Sequence, residues 1–331
     1  MNYEYKAFAF ERYDPTDESI AWLRTQGVEV EEGYALWEMP FRRYSDEEVI
    51  ERAKDCDALM GASGTRISES LMDKLPRLKV ISKYGIGVDS IDVGAATERG
   101  ILVTNTPSDH QIFTVSEFAV AMMLSLAKQF DTWTRDFMRA GGWRGLTHSV
   151  TLRGATIGIV GLGRIGKGVA DRLAGWGAKI VAYDPFMKDG TDGIELMELP
   201  ELLRLSDFVT LHAPPRADGK PIIDRAAFGA MKKGAFLVNT GRGSLVDYGA
   251  LRAALEEGRL QGAALDVYDR EPPDPDDVLF RMPNVLCTPH VAAWTSVGTR
   301  EIGWHAARNM VAALKGEGHA DIVNPEALRS R

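Results

Sequence analysis

The chain has 331 residues, 45% hydrophobic and 26% charged, with a net charge of −8; this is ordinary globular composition with room for two domains, and it excludes a disordered chain. The negative balance argues against a nucleic-acid or anionic-membrane surface and favours a small-molecule partner. The N-terminal stretch lacks a basic region followed by an apolar core, no run of eighteen apolar residues occurs, and Cys56 and Cys287 have no CxxC spacing, so the reading expects a soluble cytoplasmic protein with neither disulfide nor metal site.

The first hundred residues read as an α/β repeat. Apolar runs predict strands at Lys6–Phe10, Ala58–Met60, Lys79–Ser82 and Leu102–Thr104. Helices are expected at Asp17–Thr25, Asp46–Lys54, Ser68–Lys74 and Ser90–Arg99, with Ser45 and Ser68 as N-caps and Gly27 and Gly100 as stops. Alternation of this kind predicts a parallel sheet covered on both faces. Between Thr106 and Arg153 the strand signals stop. Phe113, Val115, Phe118, Ala119, Met122, Met123 and Leu126 recur at helical spacing, and a second helix is expected from Phe130 to Gly141. These stripes read as packing or as an oligomer face.

The stretch Ala155–Asp184 then has the order of a dinucleotide-binding βαβ unit: an apolar strand, the turn Gly161-Leu162-Gly163-Arg164-Ile165-Gly166, a helix to about Trp176, and a strand ending at Asp184. Gly161 allows the tight turn, Gly163 lets backbone approach a pyrophosphate, Gly166 permits close helix–sheet packing, and the helix N-terminus presents N–H groups to the anion. Asp184 is spaced to accept hydrogen bonds from a ribose diol, which favours NAD over NADP; Pro185, Phe186 and Met187 follow it without an arginine, and Lys188 comes next. Further strands are expected at Phe208–Leu211, Phe236–Asn239, Gly262–Leu265 and Val285–Cys287, separated by helices at Leu199–Leu205, Arg225–Met231 and Tyr248–Glu257. A last apolar helix runs from about Gly298 to Lys315 and is read as returning across the first domain.

Carboxyl ends of parallel strands converge on one crevice. Here they supply His212-Ala213-Pro214, Asn239-Thr240-Gly241-Arg242-Gly243, Asp266, Glu271 and Pro289-His290. Interconversion of a 2-hydroxy acid and a 2-oxo acid requires a cation for the carboxylate, a group that exchanges the hydroxyl proton, and a partner that sets its protonation state. Arg242, His290 and Glu271 match those three needs, since guanidinium pairs bidentately with carboxylate and a neighbouring carboxylate favours imidazolium.

The runs Gly161–Gly166, Asn239–Gly243, Ala264-Leu265-Asp266-Val267 with Glu271-Pro272-Pro273, and Thr288-Pro289-His290, together with Lys83–Asp89 and Val103–Pro107, resemble the D-isomer-specific 2-hydroxyacid dehydrogenases over nearly the whole chain, nearest to their phosphoglycerate dehydrogenase branch. The resemblance implies two Rossmann-like domains, a substrate domain of residues 1–109 and 299–331 and an NAD-binding domain of residues 110–298, with the C-terminal helix crossing back and a homodimer built through the cofactor domain. It makes Arg242 the carboxylate ligand, His290 the acid/base and Glu271 its partner. Arg164 and Ile165 would contact pyrophosphate and Asp184 the ribose; Ala213, Pro214, Thr240 and Gly241 would line the cofactor cleft, and Asp266 would hold the nicotinamide carboxamide. Tyr84, Gly85 and Ile86, which read on their own as a strand-to-helix connection, would supply substrate contacts. Ala62-Ser63 departs from the arginine–serine usual in that branch, leaving Arg66 and Lys83 as phosphate ligands, and residues 108–117 run one residue longer than usual. No regulatory domain is expected after the last helix. Glu271 disfavours a formate-type dehydrogenase, which pairs its histidine with glutamine. The alternative function is an NAD-sensing, corepressor-like binding protein on the same scaffold.

Overall fold

In the computed structural model, the described residues are 3–38, 42–61, 64–146, 148–187, 193–318 and 320–329. Ala62-Ser63 and Lys188 lie outside them. The chain forms two compact units, Met1–Asp109 with Trp294–Arg331, and His110–Ala293.

The first unit runs β1 (Tyr5–Arg12), α1 (Glu18–Thr25), β2 (Val28–Ala35), α2 (Asp46–Ala53), β3 (Ala58–Gly61), α3 (Glu69–Met72), β4 (Val80–Lys83), α4 (Val93–Glu98) and β5 (Leu102–Thr104). Its parallel sheet has the order β2-β1-β3-β4-β5. Residues alternate faces along β1: Ala7 and Ala9 pack with Ile20 and Leu23 of α1, Phe8 and Phe10 with Val49 of α2 and Leu71 of α3. Ser45 caps α2 with a capping box and Ser68 caps α3, as their spacing predicts. Absent from the sequence reading are the second unit's two-residue strand Glu195–Leu196 and, in this unit, β2. Val28 and Val30 alternate with Glu29 and Glu31, a period of two, but its acidic residues belong to an edge strand, where charge discourages pairing with other chains and makes the run look like a loop.

The second unit continues with α5 (Asp109–Lys128), α6 (Arg135–Arg139), β6 (Thr156–Val160), α7 (Arg164–Leu173), β7 (Lys179–Tyr183), β8 (Glu195–Leu196), α8 (Leu199–Leu205), β9 (Phe208–Leu211), α9 (Arg225–Ala230), β10 (Ala235–Asn239), α10 (Tyr248–Glu256), β11 (Leu260–Leu265) and β12 (Val285–Cys287). Its seven strands are parallel in the order β12-β11-β10-β9-β6-β7-β8. The Phe130–Gly141 helix expected from sequence shrinks to α6, which buries no residue and so gains no packing to extend it. Helix α5 is long and apolar enough to cross a membrane, but Ala119, Met123 and Leu126 pack against Ile157, Phe208 and Val238 of this sheet. Two α/β units with parallel sheets are the architecture that the alternation predicts.

Helix α11 (Ser296–Lys315) belongs to the first unit. Ile302, Ala306, Ala307 and Met310 pack on the face carrying Ala7 and Ala9, and Ser82 Oγ donates to Ala306 O at 2.8 Å. The tail after it is fastened by buried Asn324, whose Oδ1 accepts from Val103 N at 2.7 Å while Nδ2 donates to Ile101 O at 2.9 Å and Thr97 Oγ1 at 3.0 Å. Replacing Asn324 with Ala strands a buried amide and a buried carbonyl. Each costs about 1–3 kcal/mol, so urea unfolding of Asn324→Ala is expected to show a loss of about 3 kcal/mol.

Candidate functional site

Register brings the sequence-predicted residues of the second unit into one row. Tyr183, Val160, Leu211, Asn239, Leu265 and Cys287 are paired in turn across β7, β6, β9, β10, β11 and β12. The residues that follow them, Asp184, Gly161, His212, Thr240, Asp266 and Thr288, therefore stand side by side along the carboxyl edge at the ~4.8 Å spacing of strands. Segments far apart in the chain share a site because their strands end level.

The glycine turn has the shape its residues suggest. Gly161 adopts a left-handed backbone, and a Cβ there would lie 2.4 Å from Ala213 N; at Gly166 it would lie 2.1 Å from Gly161 O. Gly163 is the N-cap of α7, contributes no side-chain cap, and a Cβ on it would meet nothing within 4 Å. Open space therefore lies above the amide groups where a pyrophosphate would dock. Asp184 closes the turn: Oδ2 accepts from Leu162 N at 2.9 Å and Oδ1 from Phe186 N at 3.0 Å. Each carboxylate oxygen has a second acceptor position, enough for a ribose diol.

Further along the row, Thr240 is buried and its Oγ1 has no hydrogen-bond partner, which suits it to a polar ligand group. Asn239 shapes the adjoining loop, accepting from Gly241 N at 3.1 Å and donating to Arg242 O at 2.9 Å. The sequence reading quoted Asn239 without a role; an Asn two residues before a glycine is the signal of such a side-chain turn. Gly243 lies flat against Tyr268, where a Cβ would be 1.8 Å from the carbonyl oxygen. Arg242 Nη1 donates to Gly241 O at 2.8 Å. His212 was also passed over. Its Nε2 contacts Thr210 Oγ1 at 2.8 Å, its Nδ1 is buried without a partner, and burial pushes its pKa down to about 4. At neutral pH it is uncharged and does not compete with His290 as a proton donor.

His290 and Glu271 meet directly, Nδ1 to Oε2 at 2.7 Å, and Glu271 Oε1 accepts from Tyr268 N at 3.1 Å. Burial raises the Glu271 pKa, but the His290 hydrogen bond and charge, the Tyr268 amide and the charge of Arg242 outweigh it and hold the carboxyl below its ordinary value. The side chains are 52% and 36% exposed, so the pair adds little to stability. With Nδ1 occupied by Glu271, Nε2 is the nitrogen left to face a ligand.

Asp266, which the resemblance gives to the nicotinamide carboxamide, stands at the end of β11 among hydrogen-bond donors of the 288–292 loop. Fully buried, it accepts from Thr288 Oγ1 at 2.7 Å, Val291 N at 2.9 Å and Ala292 N at 2.9 Å. These bonds fasten the loop that holds His290 in a left-handed backbone (φ 55°). Burial raises its pKa in spite of the bonds and of nearby His290.

Tyr84, Gly85 and Ile86 lie in the first unit. Tyr84 is buried with its phenol donating to Glu11 O at 3.2 Å, Gly85 N donates to Thr106 Oγ1 at 2.7 Å, and Ile86 alone of the three has an exposed side chain. Lys83 is buried, its Nζ donating to Tyr84 O at 3.0 Å. Arg66 is exposed.

Comparison with known proteins agrees with this geometry. The family described as D-isomer specific 2-hydroxyacid dehydrogenase, NAD binding domain, matches residues 120–292. A D-3-phosphoglycerate dehydrogenase of Methanocaldococcus jannaschii is 38% identical over 94% of this chain, which spans only 58% of that relative's length. A glyoxylate reductase of Korarchaeum cryptofilum is 38% identical over 86% of this chain and 87% of its own. A solved structure from Thermus thermophilus superposes with a TM-score of 0.86 at 32% identity, covering 96% of this chain and 99% of the other.

Two glycine variants separate fold from ligand space. Gly161→Ala, forced into a left-handed backbone against Ala213, is expected to lose more than about 3 kcal/mol of stability. Gly163→Ala is expected to stay within about 1 kcal/mol of wild type while weakening NADH binding at least tenfold, measured by thermal unfolding and by fluorescence titration.

Proposed function

Because the chain belongs to the D-isomer-specific 2-hydroxyacid dehydrogenases, a family of NAD-dependent oxidoreductases, we propose that it interconverts a small D-2-hydroxy acid and its 2-oxo acid, with His290 as acid/base. The observation that carries this reading is the 2.7 Å contact between His290 and Glu271 in the row that also holds the glycine turn and Arg242. Bound NAD supplies the hydride acceptor, and in its reduced form the donor. The turn at Gly161–Gly166 with Arg164 and Ile165 would hold its pyrophosphate and Asp184 its adenosine ribose, while Ala213, Pro214, Thr240 and Gly241 line the rest of the edge.

Chemistry at the substrate falls to the three charged side chains. Arg242 presents a planar fork of donors to the carboxylate, fixing the acid in one orientation. His290 Nε2 takes the hydroxyl proton in oxidation and returns it in reduction. Glu271 stabilises the imidazolium that stands between those events. Asp266 acts at one remove by anchoring the loop that carries His290.

The test is the loss of NADH absorbance with a panel of 2-oxo acids. A protein that binds NADH and turns over none of them is a sensor or binding module, and the reading fails. Glu271→Gln probes the pair itself. Reduction requires imidazolium, and removing the carboxylate disfavours that charged form, so the alkaline limb of the reduction profile is expected to move to lower pH. The acidic limb of oxidation, which requires neutral imidazole, should move the same way; limbs that stay in place remove Glu271 from the site.

A second copy of this chain is the proposed macromolecular partner. Between α5 and β6 the second unit exposes Phe130, Met138, Trp143 and Leu146, the last two at 74% and 88%. So many large exposed apolar side chains between two elements mark a surface that another protein covers. Sedimentation velocity is expected to show a dimer for the wild type and a monomer for the double variant Trp143→Glu, Leu146→Glu.

A further inference from the structure

An open cavity of about 300 Å³ lies in the second unit, lined by Leu124, Lys128, Thr151, Leu152, Arg153 and Trp176. Leu124 and Lys128 come from the last turns of α5, residues 151–153 from the segment before β6, and Trp176 from the turn between α7 and β7. Backbone hydrogen bonds join the three pieces, Val150 N donating to Ala127 O at 2.8 Å and Gly154 N to Gly177 O at 2.8 Å. Thr156 pairs with Lys179 where β6 and β7 begin, so the cavity stands at the amino edge of the sheet, a strand's length of about 16 Å from the glycine turn. The proposed chemistry uses none of these residues.

Side chains of three kinds meet there. Trp176 stands between Gly175 and Gly177, both in left-handed backbone (φ 80° and 73°), and its ring is 40% exposed. A Cβ on Gly177 would lie 3.2 Å from Arg153 Cγ, so the arginine stem runs along this turn. Leu152 is buried and, with Leu124, supplies an apolar wall. Lys128 Nζ donates to Val150 O at 2.9 Å, which fixes the ammonium and leaves it two further donors. Among the described residues, neither Lys128 nor Arg153 forms an ion pair with a carboxylate.

We propose that this cavity is a second ligand site, for a small aromatic carboxylate whose ring lies on Trp176, Leu124 and Leu152 and whose carboxylate meets Arg153 and Lys128. A guanidinium presents paired donors to a carboxylate, and the ammonium adds a second positive charge beside it. The indole offers a face for offset stacking, which rewards a flat apolar body. Small-molecule sites run from about 300 to 1,000 Å³, so this cavity suits a single ring and is too small for a dinucleotide. A bare phosphate would meet the cations but leave the indole and both leucines unused. Since the cavity and the glycine turn lie at opposite ends of β6, its ligand binds without displacing NADH.

The experiment is isothermal titration calorimetry of the whole chain with benzoate, benzyl alcohol and inorganic phosphate, as wild type, Arg153→Gln, Lys128→Gln, Trp176→Leu and Arg242→Gln. Benzoate is expected to bind wild type with a Kd of about 1 mM or lower, and equally well in the presence of NADH. Benzyl alcohol, which lacks the charge, and phosphate, which lacks the ring, should bind about tenfold more weakly or worse. Glutamine keeps a hydrogen-bond donor while removing the cation, so Arg153→Gln and Lys128→Gln should each weaken benzoate about tenfold. Trp176→Leu should weaken it by about three- to tenfold. Unchanged NADH affinity in these three variants shows that the fold is intact. Arg242→Gln should bind benzoate as wild type does. The proposal is overturned if Arg242→Gln loses benzoate while Arg153→Gln keeps it, which places the carboxylate at the candidate site instead. Equal binding of benzyl alcohol or of phosphate also overturns it, as does no binding of benzoate at all, the result expected if a second copy of the chain covers this cavity.

Discussion

The buried carboxylate of Asp266 is the constraint on which the geometry of the candidate site depends. Its three hydrogen bonds to the 288–292 loop join the end of β11 to the segment leaving β12, and they hold the backbone that places His290 in a left-handed conformation. A residue other than glycine in that region is strained and persists only where its surroundings over-determine it. Asp266 supplies that determination from inside the protein, where competition from water is absent. Glu271 completes the arrangement from the loop after the same strand, so one strand end positions both the histidine and its carboxylate partner.

Burial divides the acidic residues of the site by task. Asp266 is fully buried, its pKa is raised, and it accepts from Thr288, Val291 and Ala292. Glu271 is partly exposed and held in the ionised form by His290, the Tyr268 amide and Arg242. The proposed partner of His290 has to stay charged, and its neighbours keep it so; a carboxylate that braces a loop works better where its hydrogen bonds are strong. His212 is kept neutral by burial.

The two units contribute different chemistry. The second has the polar edge: a capless helix N-terminus, an unpartnered threonine hydroxyl, and the Arg242, Glu271 and His290 set. The first offers rings, a buried lysine and a buried glutamate. The NAD binding domain match falls within the second unit, and the proposed proton handling draws on residues of that unit alone.

Local pattern alone determined much of this protein. Alternating apolar strands and amphipathic helices, the glycine turn followed by Asp184, and an arginine, a glutamate and a histidine just beyond predicted strands are all short-range features, and the parallel α/β architecture follows from them. Only the tertiary structure decided the rest. Strand β2 was missed because an edge strand is acidic for reasons of solubility, and the helix expected from Phe130 to Gly141 shrank because no residue of α6 is buried, the edge-to-face contact of Trp133 with Phe137 notwithstanding. That Asp266 faces a loop, that Tyr84 is buried, and that Lys83 turns inward depend on which atoms lie across the fold. Sequence spacing encodes the period of a helix or strand; it carries no record of the level at which six strands end, and that level is what puts the residues of the site in one row.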